Sequence, residues 1–68
     1  MRPVLAIFDL TELDELSASL CDLETGVELL RVEDDPEDRR PFQERVKEAA
    51  KANGYEVQEW DRRALRAQ

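Results

Sequence analysis

Histidine is absent from this 68-residue chain, and cysteine occurs once, at Cys21. The first absence excludes a Ser-His-Asp triad, a Cys-His pair, histidine general-base catalysis and every zinc site that needs imidazole. The second excludes an internal disulfide, a Cys-x-x-Cys redox pair and a four-cysteine metal site. Glycine is nearly as scarce. Gly26 and Gly54 lie far apart, so there is no glycine-rich phosphate loop. Long apolar runs are missing too: the longest is Val4-Leu5-Ala6-Ile7-Phe8. It is far short of the ~20 residues that span a bilayer, and too short for the apolar core of a signal peptide. A lone thiol with no export signal predicts the cytoplasm. A chain of this length builds one small core with no room for a large cofactor pocket. Neither a catalytic centre nor a cofactor or metal site is therefore predicted.

What is abundant is charge. The net charge is −7, and its distribution is lopsided. Residues 1–38 hold 12 acidic and 2 basic side chains, whereas residues 39–68 hold 5 acidic and 8 basic ones. The acidic half repels phosphates, which argues against direct nucleic-acid binding. It suits a solubilising surface, a basic protein partner or mimicry of a nucleic-acid backbone.

The local pattern predicts β-α-β-α-β. Val4 to Phe8, preceded by Pro3, reads as a buried strand over 3–8. Thr11 and Asp14 have the spacing of a capping box. Leu13, Leu16, Leu20 and Leu23 follow at steps of three, four and three, which predicts a helix over 11–24 ended by Gly26. Val27 to Glu33 reads as a second strand. A helix over 41–53 carries Phe42, Val46, Ala49 and Ala50 inward and stops at Asn53-Gly54. Tyr55 to Trp60 reads as a third, edge strand. The expected fold is a small two-layer α/β sandwich, a three-stranded mostly parallel sheet with two helices. Residues 1–60 form its single domain and 61–68 a basic C-terminal tail. The expected core is Leu5, Ile7, Leu13, Leu16, Leu20, Leu29, Val32, Phe42, Val46 and Val57.

Val32-Glu33-Asp34-Asp35-Pro36, then a helix, then Asn53-Gly54-Tyr55-Glu56-Val57, resembles the TusA/SirA-like sulfurtransferase family over about half the chain. The resemblance implies a two-layer α/β fold that begins β-α-β-α-β and closes with a further strand. It also implies a sulfur-carrying cysteine in a Cys-Pro-x-Pro motif between the first strand and first helix. That place here reads Asp9-Leu10-Thr11-Glu12-Leu13, without cysteine, and Cys21 does not match the motif. No functional residue transfers from the family.

Three groups of residues bear on function. Cys21 is flanked by Asp22 and is predicted to fill a packed position rather than act as a nucleophile, since acidic neighbours oppose a thiolate. Glu33, Asp34, Asp35 and Asp38 supply oxygen ligands of the kind calcium or magnesium takes, but without the glycine and distal glutamate of an EF-hand loop; they suit capping and solvation better. Arg62, Arg63 and Arg66 beside Trp60 form a basic end that could contact phosphate or an acidic protein, but suits better a solvated terminus folding back on the acidic first helix.

The reading that follows is a small acidic, non-catalytic protein-interaction module, such as a bacterial or phage regulator, inhibitor or antitoxin. Its expected contact residues are Glu12, Asp14, Glu15, Asp22, Tyr55, Trp60, Arg62 and Arg63. Its expected partner is a protein, basic if it meets the acidic half, with no membrane contact. A sulfur carrier acting through Cys21 and an acidic nucleic-acid mimic are the alternatives. Open edges at the last strand, with Tyr55, Val57 and Trp60, also predict a homodimer.

Overall fold

A computed structural model describes residues 1–13 and 15–62. Its elements are β1 (Arg2–Leu10), β2 (Leu16–Asp22), β3 (Glu28–Glu33), α1 (Phe42–Ala52) and β4 (Tyr55–Asp61). The sheet order is β3-β2-β1-β4. β1 pairs antiparallel with β2, β2 antiparallel with β3, and β1 parallel with β4. Strands β3 and β4 thus run the same way at opposite edges of the sheet. The chain between them must cross two strands, and α1 makes that crossing over one face.

This corrects the expected fold. The sheet has four strands and is mixed, and there is one helix among the described residues, not two. The error lies in 11–24. The leucine spacing there fits a helix, but the same stretch also alternates: Leu16, Ala18 and Leu20 against Ser17, Ser19 and Cys21. The strand reading wins because it fills the side of β1 that β4 leaves open, and the register runs unbroken from Val4↔Asp22 to Leu10↔Leu16. Thr11 does cap, but it caps a hairpin turn. Its amide donates to the Glu15 carbonyl at 2.8 Å, and its Oγ1 accepts from the amides of Leu13 and Glu15. Leu13, assigned to the core, sits on that turn and is 79% exposed. Asp22 and Gly26 close the second hairpin. Asp22 Oδ1 accepts from the amides of Glu24 and Thr25, and Gly26 takes φ +77°, a left-handed conformation that costs glycine nothing.

The remaining expected elements are present within a residue or two. Helix α1 follows Pro41, whose fixed φ suits a helix start, and stops at Asn53 and Gly54, the latter at φ +78°. The core lies between α1 and the sheet. Val4, Ala6, Phe8, Ala18, Leu20, Val46 and Ala50 are all nearly inaccessible. Ala6 and Ala18 sit mid-sheet, so small side chains there let the helix approach closely. Phe8 meets Phe42 edge-on at 5.8 Å and stacks on Trp60 at 5.4 Å, fixing one end of the helix to the sheet.

Both edge strands are bulged. Leu29 is the extra residue on β3, where pairing shifts from Leu20↔Leu30 to Cys21↔Glu28. Gln58 is the extra residue on β4, between Val4↔Val57 and Leu5↔Glu59. A bulge interrupts the row of free backbone groups that an edge offers to another strand.

Candidate functional site

Alternation along β1 divides its residues between two unlike surfaces. Val4, Ala6 and Phe8 point to α1, while Leu5, Ile7 and Asp9 point to the other face. Among the described residues no element packs on that second face, and Leu5 and Ile7 stay half-buried. The registers build the rest of it. Leu5 pairs with Cys21 on one side and Glu59 on the other; Ile7 pairs with Ser19 and Asp61. Further out, Ser19 faces Arg31, Ser17 faces Glu33 and Cys21 faces Glu28. Among the described residues, two aliphatic side chains and a row of small ones are therefore framed by the carboxylates of Asp9, Glu28, Glu33, Glu56, Glu59 and Asp61 and by the guanidinium of Arg31. Arg31 donates to Ser17 Oγ at 3.4 Å.

Cys21 lies on this face, buried. Burial pushes its thiol up from its ordinary value, and the facing Glu28 carboxylate pushes it further. A thiol so placed is a poor nucleophile.

The expected contact residues are scattered. Glu12 and Glu15 lie on the β1–β2 turn and are exposed, and Asp14 falls outside the described residues. Asp22 is turned inward. Two turn amides hold its carboxyl below the usual carboxylate range, and Arg2, whose Nε is 3.0 Å away, adds to this. Trp60 stacks on Phe8 and Tyr55 packs against the core, so neither ring is a free anchor. Arg62 lies over the Phe8 ring at 5.2 Å and donates to Gln43, while Arg63 lies outside the described residues.

Asp34 and Asp38, in the acidic run after β3, are paired with arginines. Arg45 pairs with Asp34, and Arg40 forks onto Asp38 at 2.8 and 3.2 Å while also meeting Glu48. The Arg40 contacts pull the Asp38 carboxyl down to about 2. These pairs fasten the 34–41 connection to α1. No group of three or more cysteine or carboxylate residues fit to hold a metal ion occurs among the described residues.

Reasoning from sequence missed the open face because it assigned Leu5 and Ile7 to the core and 16–22 to a helix. The alternation Leu-Ser-Ala-Ser-Leu-Cys was the available signal. No described helix is long and apolar enough to cross a membrane. No protein-family profile, curated protein or solved structure matches the chain.

Proposed function

We propose that the chain is a non-catalytic protein-interaction module whose contact surface is the helix-free face of the sheet. The observation that carries this reading is the composition of that face: Leu5 and Ile7 half-buried at its centre, ringed by carboxylates. A sheet with one face covered by a helix gains by covering the other, and a basic amphipathic helix of the partner complements this one in shape and charge. Its apolar stripe would cover Leu5 and Ile7, and its lysines or arginines would meet the surrounding acids. The module would act by occupying its partner's surface. Electrostatic steering then makes association salt-sensitive.

A blocked amphipathic peptide of leucine and lysine, about fourteen residues or four turns long, serves as a probe. Titration into isotope-labelled protein is expected to shift the amides of Leu5, Ile7, Ser19 and Arg31, and the effect should fade as salt rises. Shifts confined to α1 would overturn the reading. Sulfur transfer through Cys21 has less support, since burial and a facing carboxylate both oppose the thiolate. An alkylation rate well above that of an ordinary buried thiol would restore it.

A further inference from the structure

The outer side of β4 carries a second, differently charged surface. A groove of about 220 Å³ runs between α1 and the first half of β4, lined by Met1, Lys47, Lys51, Tyr55, Glu56 and Val57. Met1 is 72% exposed beside it. Lys47 and Lys51 are one helical turn apart on the flank of α1 that overhangs β4, and Lys47 Nζ reaches to 5.9 Å from the Trp60 ring centroid. Neither lysine forms a salt bridge among the described residues. One side of β4 pairs with β1, and the other faces no strand among the described residues. The bulge at Gln58 divides the edge in two, and of the two parts Tyr55–Val57 borders the groove.

We infer that the β4 edge accepts an extended acidic segment of a partner protein by strand addition, with two carboxylates at alternate positions. Residues i and i+2 of a strand lie on one side, ~6.6 Å apart, and a helical turn rises ~5.4 Å, so two such carboxylates match Lys47 and Lys51. The residue between them lies on the opposite side of the extended sheet, with Glu56, and a cation there fits best. Backbone pairing supplies the docking, and charge alternation supplies the selectivity. This site meets the acidic open face only at Glu56, and its lysines select the opposite charge.

The probe is the blocked pentapeptide Thr-Glu-Lys-Glu-Thr, against its inverse Thr-Lys-Glu-Lys-Thr. Binding is read from the amide shifts of residues 55–57 and from the emission of Trp60, the sole tryptophan. The first peptide is expected to shift both signals and the inverse to shift neither. Lys47→Glu and Lys51→Glu, both at exposed positions, should each weaken binding about tenfold. Ile7→Lys, on the far face, should leave it unchanged. Equal binding of the two peptides, or indifference to both lysine changes, would overturn the inference. So would sedimentation showing a dimer whose formation the peptide does not disturb but Tyr55–Val57 contacts explain, because a second copy would then hold the edge.

Discussion

The two faces of one sheet are covered unequally. On β1, Val4, Ala6 and Phe8 are sealed under α1, while their neighbours Leu5 and Ile7 look outward between carboxylates. The residues differ little in hydrophobicity. What separates them is parity along the strand and the side on which the β3–α1–β4 crossing passes. The described residues supply one covering layer, α1, which stabilises one face; on the reading proposed above, the second face serves recognition. The helix-covered face should respond to mutation through stability, and the open face through binding.

The largest effect belongs on the covered face. Leu20 is fully buried, and Leu20→Ala should cost ~2–5 kcal/mol, enough to unfold much of the population of so small a domain. Urea unfolding reads it directly. Retention of full stability would show that α1 does not seal that face. Ala18→Leu tests the close approach of helix and sheet. Added volume at this fully buried position should cost ~1–3 kcal/mol in the same assay. A neutral result would mean that the gap between the layers is wider than the packing requires.

Acid should act next. The folded carboxyls of Asp22 and Asp38 lie below their unfolded value of ~4. Their contribution to stability is therefore present above about pH 4 and is lost as pH falls through each folded value, toward about 2 for Asp38. The urea midpoint should drop across that window, and Asp22→Asn should flatten part of the drop. A midpoint constant from pH 5 to pH 2 would contradict the turn and ion-pair geometry. A smaller stability effect belongs to the open face: Ile7→Ser should cost less than Leu20→Ala, since the Ile7 side chain, unlike Leu20, keeps partial contact with water. A loss as large as that of Leu20→Ala would mean the face is covered.

Much of the second half was readable from sequence. Pro41, Asn53-Gly54 and the alternation from Tyr55 mark their boundaries with local chemistry, and local chemistry decides there. The first half was not, because Leu13, Leu16, Leu20 and Leu23 satisfy a helical period by coincidence. Only pairing with β1, a non-local interaction, rejects that period. The same mistake hid the open face. Without β2 beside it, β1 reads as buried on both sides, and Leu5 and Ile7 are counted as core. Within the acidic run at 33–38, Asp38 and Asp34 take arginine partners, Arg40 and Arg45, from beyond the turn, and the fold had to bring Arg45 back to Asp34.

The open face as a recognition surface is tested most directly by Ile7→Lys, assayed together for urea unfolding and for binding of the leucine-lysine helix peptide. The account predicts an unfolding midpoint close to wild type and loss of peptide binding, since the new ammonium repels the probe at the centre of its contact. Undiminished binding, or a variant that no longer folds, would contradict it.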